Sequence, residues 1–317
     1  MMNNIVSVLV PVFNEQDNVR QLTEEISEAV KNEKYIFEII LVNDGSIDET
    51  WKIIEDISKK NKTVIGIDLA GNYGQTIALR AGLENSTGDI VVMMDGDLQH
   101  DPTHIPQFLR YLEDGYDMAG GSKANRPGNI FKKWLANFAH YIIRLLSGVK
   151  MKYFGATFRA YRRYLLENTN MLGDAHRFLG AIVARKGVKF IEIPIEIRER
   201  KAGKSKYKLK KVFLVILDLI FLKFTVSYMN KPFRLFGLYG GITFLIGLVF
   251  TMILLLGSIF GNVNIREQYL TEFLFCVFLI LIGLFVIAIG IIAEIGIYNY
   301  FSRHQQSPYN IREKSEK

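Results

Sequence analysis

The stretch VVMMDGDLQHDP, residues 91–102, leads from an apolar run directly into two aspartates, Asp95 and Asp97, separated only by Gly96. Carboxylates this close raise each other's pKa unless a cation or a ligand offsets their charge. Hard divalent cations such as Mg²⁺ and Mn²⁺ prefer oxygen ligands, which Asp97 and Gln99 can supply with Asp95 beside them. A divalent metal after a buried strand is thus one way to offset the charge, and helix capping or turn formation is the alternative role of the aspartates.

This stretch begins within the last of four short runs rich in valine and isoleucine. The runs lie at residues 5–13, 37–42, 63–69 and 89–94. Runs of this length are typical of parallel strands that are covered on both faces. Helical patterns lie between the runs, at roughly residues 18–31, 49–60 and 75–85. The alternation predicts a doubly wound α/β sheet, in which ligands bind at the carboxyl ends of the strands.

Polar residues follow the predicted strands at the edge of the sheet where ligands bind. Asn14 and Glu15 follow the first strand, Asp44 follows the second, and Asp95 and Asp97 follow the fourth. Because the carboxyl ends of parallel strands meet at one edge, we expect these side chains to surround one site.

Two motifs concern the starts of helices. SIDE, residues 46–49, has the spacing of a capping box. GNYGQTIALRAG, residues 71–82, begins a helix after a strand, and its Asn72 and Gly74 permit an unusual turn conformation. Gly82 allows that helix to approach the sheet closely. We interpret this second motif mainly as structural.

The second half of the chain contains two long apolar segments. Hydrophobic residues make up 49% of the 317 residues, and the segments 235–265 and 273–293 carry no charge. A bilayer core needs about 20 apolar residues in a helix, so both segments are long enough to span it. A pair of buried core helices is the alternative. The single cysteine, Cys276, excludes a disulfide within the chain, which suits a cytoplasmic catalytic part.

Basic residues indicate how these segments are oriented. The net charge is +7, and the run RERKAGKSKYKLKK, residues 198–211, lies just ahead of the apolar segments. This position favours a membrane surface over nucleic acid as the partner, and a solvated basic face is the alternative. The loop at 262–272 carries one arginine and two glutamates, whereas basic residues flank both segments on their other sides. The positive-inside rule then predicts a multi-pass protein of the cell membrane with both termini and the catalytic domain in the cytoplasm.

Two further stretches, residues 129–148 and 207–229, carry basic and aromatic residues at helical spacing. Helices of this type can lie in the headgroup layer of a membrane, and the alternative is that they pack on the sheet. The predicted organisation is a catalytic domain, an amphipathic juxtamembrane helix, a two-helix transmembrane hairpin and a cytoplasmic tail, at residues 1–206, 207–234, 235–297 and 298–317.

Five motifs occur in a fixed order: VPVFNE, VNDGSIDET, GNYGQTIALRAG, DGDLQHDP and RKAGKSKY, at residues 10–15, 42–50, 71–82, 95–102 and 200–207. In this set the chain resembles family 2 glycosyltransferases, which have the GT-A fold, a Rossmann-like nucleotide-sugar-binding domain. More narrowly it is similar to the polyprenyl-phosphate glycosyltransferases, namely dolichyl-phosphate mannose synthases and bacterial bactoprenol glucosyltransferases. The resemblance covers residues 1–210, and the two apolar segments look like the membrane anchor of the bacterial branch.

The resemblance implies roles for individual residues. Asp95, Asp97 and Gln99 would hold Mg²⁺ or Mn²⁺. The residues that would bind the nucleotide sugar are Pro11, Phe13, Glu15, Asp44, Met94, Asp95 and Gln99. Those that would bind the acceptor phosphate are Lys123, Arg177, Arg200 and Lys206. Those that would take part in catalysis are Asp95, Asp97, Asp174, Arg200 and Lys206.

The chain departs from the family pattern at two positions. Phe13 stands where the family usually has tyrosine, so one hydroxyl contact is lost while the stacking face remains. Asn43 stands where the family usually has a second aspartate, which leaves Asp44 as the acid of that motif.

The resemblance also implies a reaction. We expect an inverting transfer of a hexose, glucose in the first instance, from a UDP-sugar to undecaprenyl phosphate. The alternatives are the same transfer with N-acetylglucosamine, mannose or a 4-amino-pentose, a processive polysaccharide synthase, and a noncatalytic membrane scaffold that senses nucleotide. The expected partners are the nucleotide sugar, the polyprenyl phosphate and the membrane, with a homo-oligomer as a further option and no nucleic acid.

Overall fold

The computed structural model of this chain describes residues 4–123, 151, 157–167, 169, 171, 176, 178–185, 187–196, 198, 224, 231–261 and 264–304, with backbone alone at 123 and 300–304. The chain forms two compact units. The first comprises Met1–Leu222 together with Tyr309–Lys317, and the second comprises Lys223–Pro308. The predicted helices at 129–148 and 207–229 lie outside the described residues, apart from Phe224.

The first unit begins with alternating strands and helices. These are β1 Ile5–Val12, α1 Val19–Val30, β2 Ile36–Asn43, α2 Thr50–Lys60, β3 Val64–Asp68, α3 Gln75–Glu84 and β4 Ile90–Met93. All of them lie where the apolar runs and helical patterns predict them. Strand β1 pairs in parallel with β2 and β4, and β2 pairs in parallel with β3. The predicted α/β architecture is therefore confirmed for this part of the chain.

The remainder of the first unit adds elements that were not predicted from the sequence. After a 3₁₀ turn at Pro102–His104 come α4 Ile105–Glu113, β5 Met118–Lys123, β6 Arg159–Arg162, α5 Tyr164–Glu167, α6 Leu179–Ala184 and β7 Phe190–Ile195. Within the described residues the sheet has seven strands, in the order β3-β2-β1-β4-β6-β5-β7. Strand β6 is antiparallel to both β4 and β5. Strand β5 pairs in parallel with β7, so the sheet is mixed only because β6 runs against the other described strands.

Helix α3 packs closely on the centre of the sheet. A Cβ atom on Gly82 would lie 3.2 Å from the Val42 side chain and 3.5 Å from the Leu9 side chain. A larger residue would push the helix away from β1 and β2, because packed interiors leave little free volume. The predicted role of Gly82 in close packing is confirmed.

Near the amino ends of the strands, the Glu38 carboxylate of β2 connects β1 with the residues that precede β4. Its Oε1 atom accepts hydrogen bonds from the Ser7 hydroxyl at 2.6 Å and from the backbone N–H groups of Thr87 and Gly88 at 2.5 and 3.2 Å. Burial raises the pKa of Glu38, but the hydrogen bonds from Ser7 and Thr87 outweigh it, and the pKa lies below its ordinary value of 4.5. The ionised form of Glu38 thus stabilises the fold.

We predict that Glu38→Gln lowers the free energy of unfolding at pH 7 by about 1–3 kcal/mol, because a charge-assisted hydrogen-bond network is lost. Because the folded-state pKa of Glu38 is depressed, the wild type has a higher free energy of unfolding than the variant. This difference is fully present above pH 4.5 and is lost as the pH falls through the folded-state pKa. Thermal unfolding of the purified full-length chain in detergent, measured between pH 3 and 7, checks this. Glu49→Gln is the control, since Glu49 is exposed and paired with Lys52. Equal unfolding midpoints for the two variants at pH 7 would contradict the role of Glu38.

The second unit consists of α7 Pro232–Phe260, α8 Ile265–Gln268 and α9 Leu270–His304. Helices α7 and α9 are long and apolar enough to cross a membrane. Only 6% and 17% of their most apolar windows are buried, unlike the core helices of a soluble domain. Helix α7 begins at Pro232 rather than at 235, because proline is favoured in the first turn of a helix, and α9 continues past 297 to His304.

Glycines bring α7 and α9 into backbone contact. A Cβ atom on Gly283 would lie 2.5 Å from the Phe244 nitrogen and 2.7 Å from the Gly240 carbonyl oxygen. A Cβ atom on Gly247 would lie 2.8 Å from the Cys276 carbonyl oxygen. Small residues at such positions are a common basis of helix association in membranes. The hairpin therefore depends on the absence of side chains at these glycines.

We predict that Gly283→Ala destabilises the second unit by about 1–3 kcal/mol, because its methyl group overlaps the backbone of α7. The matched control is Gly241→Ala on α7, where a Cβ atom meets nothing within 4 Å. Alanine favours helix, so the control should be neutral or slightly stabilising. Thermal unfolding of the full-length variants in detergent gives the comparison, and indistinguishable midpoints would argue against the glycine contact.

Candidate active site

A cavity of about 380 Å³ opens at the carboxyl ends of β1, β2 and β4, beside the start of α3. Its lining comprises Pro11, Val12, Phe13, Glu15, Asp44, Asn72, Gly74, Gln75, Asp95, Gly96 and Asp97. Six of these residues were predicted as site residues from the sequence, namely Pro11, Phe13, Glu15, Asp44, Asp95 and Asp97. The structure thus brings the ends of three strands together at one cavity.

The first wall of the cavity is built from the loops after β1 and β2. Asn14 has a left-handed backbone with φ 55°, and the preceding Phe13 side chain stays 43% exposed at the cavity. The Asn14 N–H donates to the Ser46 hydroxyl at 2.9 Å, and the Asn14 side-chain oxygen accepts from the Ile47 N–H at 2.9 Å. The two loops therefore form one connected wall.

These contacts also correct the predicted capping box at residues 46–49. The Ser46 hydroxyl bonds to Asn14, and helix α2 begins only at Thr50. The Thr50 N–H is instead satisfied by Asp48 Oδ1 at 3.0 Å. The serine was predicted as a cap because local spacing does not reveal its partner in another loop.

Asp44 holds the loop that precedes α3. Its Oδ1 atom accepts from the Tyr73 N–H at 2.8 Å and its Oδ2 atom accepts from the Gly74 N–H at 2.9 Å. The residue is only 4% exposed, although it contributes to the cavity lining. Gly45 follows with φ 66°, and a side chain there would collide with Gly71. Asp44 therefore has a structural role, and its predicted contact with a base stays a prediction.

Asp95 is fixed by donors from three directions. Its Oδ1 atom accepts from Gln75 Nε2 at 2.6 Å, and its Oδ2 atom accepts from the Thr157 hydroxyl at 2.6 Å and lies 3.4 Å from His100 Nε2. Burial raises the pKa of Asp95, but the hydrogen bonds from His100, Thr157 and Gln75 outweigh it and hold the pKa below its ordinary value. Asp95 is accordingly a fixed and ionised carboxylate at neutral pH.

Gly96, the one residue between the two aspartates, lets the turn approach β1 closely. A Cβ atom on Gly96 would lie 2.7 Å from the Val12 side chain, so the turn needs glycine there. Asp97 follows at the cavity, and its Oδ1 atom accepts from the Gln99 N–H at 3.2 Å. Two carboxylates therefore face one cavity across a single glycine.

The described residues contain no group of three or more His, Cys, Asp or Glu side chains that could hold a metal ion by themselves. Mg²⁺ is commonly bound by one or two carboxylates together with the phosphates of a substrate. Asp95 and Asp97 fit that second arrangement, in which a cation is held jointly by the protein and a diphosphate. The two side chains therefore suit a cation that binds together with its nucleotide.

Each of the other predicted site residues either is described away from the cavity lining or has no described side chain. Met94 lies in the core with 1% exposure, and the Gln99 carbonyl accepts from the Arg198 N–H at 2.9 Å; neither is among the described residues that line the cavity. Lys123 ends β5, and only its backbone is described. Asp174, Arg177, Arg200 and Lys206 lie outside the described residues. The acceptor-phosphate contacts thus stay predictions.

Three residues that contact Asp95 were not predicted as site residues from the sequence. Gln75 belongs to the motif at residues 71–82, which was interpreted mainly as structural, and its amide is now seen to reach the carboxylate. His100 lies within the motif at residues 95–102, but no spacing there marks it as a partner of Asp95, and Thr157 belongs to none of the motifs. The spacing of 62 residues between Thr157 and Asp95 places this contact beyond any local sequence signal.

Comparison with known proteins agrees with this geometry. The family model described as glycosyl transferase family 2 matches residues 7–169. The undecaprenyl-phosphate 4-deoxy-4-formamido-L-arabinose transferase of Proteus mirabilis is 33% identical over 300 residues, covering 93% of this chain and 90% of that protein. The protein of the same name from Klebsiella pneumoniae strain 342 is 31% identical over 301 residues, covering 93% of this chain and 89% of its own length.

The fold is also similar to that of solved structures. Glucosyl-3-phosphoglycerate synthase from Mycobacterium tuberculosis, in complex with Mn²⁺, UDP-glucose and phosphoglyceric acid, matches with a TM-score of 0.54 at 20% identity. The match covers 70% of this chain and 79% of that one. At this level of identity the comparison concerns the fold alone.

We predict that Asp97→Asn weakens the Mn²⁺-dependent binding of UDP by about tenfold or more, because a cation held by Asp95 and Asp97 would lose one of its two carboxylate ligands. Calorimetric titration of the full-length protein with UDP, with and without Mn²⁺, measures this. Asp56→Asn is the matched control, since Asp56 lies on α2 and pairs with Arg20 and Lys60 at the surface. If both variants bound UDP as tightly as the wild type in Mn²⁺, the assignment of Asp97 would be wrong.

Proposed function

The chain belongs to glycosyl transferase family 2 and has its GT-A fold, and from this premise we propose that it transfers a sugar from a nucleotide donor to undecaprenyl phosphate at a membrane. The observation that carries this proposal is the match to undecaprenyl-phosphate transferases over 93% of the chain. A match of that length extends beyond the cavity and its sheet into the two long apolar helices. The cavity at the ends of β1, β2 and β4 supports the donor half of the proposal.

The proposed sugar is a modified pentose, 4-deoxy-4-formamido-L-arabinose, carried on UDP. The relatives that match most of the chain bear that name, at about one-third identity. This replaces the expectation of glucose and favours the 4-amino-pentose class that the sequence left as an alternative. The rest of the expected reaction is unchanged.

The donor would lie in the cavity with its diphosphate toward Asp95 and Asp97. When bound, a divalent cation would offset the charge that develops on the departing diphosphate. Asp95 contributes by being ionised and immobile, because Gln75 and Thr157 restrain both of its oxygens. The exposed ring of Phe13 offers a stacking face for the base.

The acceptor would be the terminal phosphate of the lipid. One of its oxygens forms a bond to the anomeric carbon while the bond from that carbon to the diphosphate breaks, and the nucleoside diphosphate leaves. A single displacement inverts the configuration. The attacking oxygen is already anionic near neutral pH, so no strong general base is required. We assign Lys123, Arg177, Arg200 and Lys206 to the binding of this phosphate, and Asp174 to the orientation of the acceptor.

Helices α7 and α9 would anchor the protein in the bilayer, with the catalytic domain and both termini in the cytoplasm. The exposure of their apolar side chains supports an anchor over a soluble core. A processive synthase would need a passage for its polymer, and the two candidate spans in the described part of the chain form a closely packed pair. The lipid acceptor therefore explains the second unit better than a growing polysaccharide does.

A donor panel tests the proposal. Purified full-length protein in nanodiscs is given undecaprenyl phosphate with UDP-4-deoxy-4-formamido-L-arabinose, UDP-glucose, UDP-N-acetylglucosamine or GDP-mannose, and lipid-linked sugar is measured by mass spectrometry. We expect the formamido donor to exceed the others in kcat/KM by at least about 100-fold, because polar groups built for one sugar stay unpaired with another. EDTA should stop transfer, and Mg²⁺ or Mn²⁺ should restore it. A preference for UDP-glucose would reinstate the hexose, and UDP binding without transfer of any sugar would indicate a scaffold.

A further inference from the structure

Three consecutive residues at the start of α3, here called the GQT segment (residues 74–76), contact three separate parts of the fold. The backbone N–H of Gly74 donates to Asp44 Oδ2 at 2.9 Å, at the end of β2. The side-chain amide of Gln75 donates to Asp95 Oδ1 at 2.6 Å, at the end of β4. The donor side of the cavity is thus attached to α3 at two adjacent residues.

The third residue of the GQT segment, Thr76, contacts the other half of the chain. Its hydroxyl oxygen lies 2.8 Å from His176 Nδ1 and accepts from the His176 backbone N–H at 3.2 Å. Because the N–H occupies one lone pair of the hydroxyl, the hydroxyl hydrogen can point to Nδ1, and a neutral imidazole then carries its proton on Nε2. Thr76 is 2% exposed, so little water competes for these bonds. One threonine therefore fixes both the backbone and the ring of His176.

The described helix that follows His176 is built into the core. Helix α6, Leu179–Ala184, is almost wholly buried. A Cβ atom on its Gly180 would collide with the guanidinium of Arg159, which is itself buried on β6. Strand β6 follows Thr157, the hydroxyl donor to Asp95. Strand β6 and the Thr157 before it thus contact both α6 and the carboxylate Asp95, and the GQT segment connects Asp95 with His176 on the side of α3.

We propose that the GQT segment is a positioning element of the transfer reaction, in which Gln75 sets the donor carboxylate Asp95 and Thr76 sets His176 on the acceptor side. This inference rests on the proposed function, which assigns the sequence neighbours Asp174 and Arg177 to the acceptor. A displacement of this kind requires its two reactants in line and about 3 Å apart, and a misplacement of about 1 Å can reduce the rate 100-fold. Gly74, Gln75 and Thr76 are adjacent at the start of α3, so neighbouring residues hold both the donor carboxylate and the histidine on the acceptor side.

The test removes the hydroxyl of Thr76 while keeping the shape of the side chain. Thr76→Val should lower kcat for transfer to undecaprenyl phosphate by about tenfold or more, whereas the KM of the donor and the affinity for UDP with Mn²⁺ should stay within about twofold of wild type. Thr76→Ser keeps the hydroxyl and should restore kcat. Thr23→Val is the matched control, because Thr23 is a buried threonine of α1 whose hydroxyl donates to the Val19 carbonyl in its own helix. Retained UDP affinity also shows that each variant is folded.

A second measurement uses His176, which is only half-buried, so that its substitution leaves the core intact. Asparagine can place an oxygen where Nδ1 stands, so His176→Asn should keep more of kcat than His176→Ala. In a double-mutant cycle, Thr76→Val should add little to the loss caused by His176→Ala.

Three outcomes would overturn the inference. Thr76→Val could match Thr23→Val in kcat while the wild type is active, or its loss could add fully to that of His176→Ala; either result removes the inference alone. A wild-type protein that binds UDP and transfers no sugar to the lipid removes the proposed function, and this inference with it.

Discussion

The site depends on one electrostatic constraint: a buried strand ends in two carboxylates that must be held next to each other at one cavity. The fold meets this constraint for Asp95 by directing hydrogen-bond donors at it. Gln75 and Thr157 restrain its two oxygens, and His100 lies close behind them. These donors lower the pKa of Asp95 without neutralising its charge, so the charge remains to attract a cation. A lysine or arginine in their place would fill the site with a fixed cation and leave no role for an exchangeable one.

The antiparallel strand β6 follows from the same requirement. Met93 of β4 pairs with Arg159 of β6, and because the two strands run in opposite directions, the start of β6 lies at the end of β4. Thr157 stands just before β6 and so reaches Asp95, which stands just after β4. A parallel strand in that position would begin at the far edge of the sheet and would bring no early residue to the carboxylate. The mixed sheet is thus what brings the second half of the chain to the site.

The sequence allowed the first half of this fold to be predicted well and the second half poorly, for a physical reason. Strands β1, β2 and β4 are largely buried and therefore read as apolar runs, and the polar residues after them mark the cavity. Strand β5 is MAGGSK and β6 is RAYR, which are too short and too mixed to show a period. The hydrogen bonds of Ser46, Gln75 and Thr157 join distant loops, and no local spacing encodes such partners. The residue types that line the cavity were predictable, whereas the residues that hold them were not.

A glycosyltransferase whose acceptor is an anionic phosphate does not need to remove a proton from that acceptor. Without a proton to remove, rate depends on the alignment of the acceptor phosphate, the anomeric carbon and the diphosphate, and so on the rigidity of the parts that hold them. The described contacts are of this kind: Asp44 restrains a loop, Gln75 and Thr157 restrain a carboxylate, and Thr76 restrains a histidine. These contacts concern the alignment of the reacting groups, whereas discrimination between sugars depends on polar contacts around the sugar itself. The restraining contacts therefore indicate the class of reaction, while the sugar is decided by side chains that neither the apolar pattern nor the metal motif records.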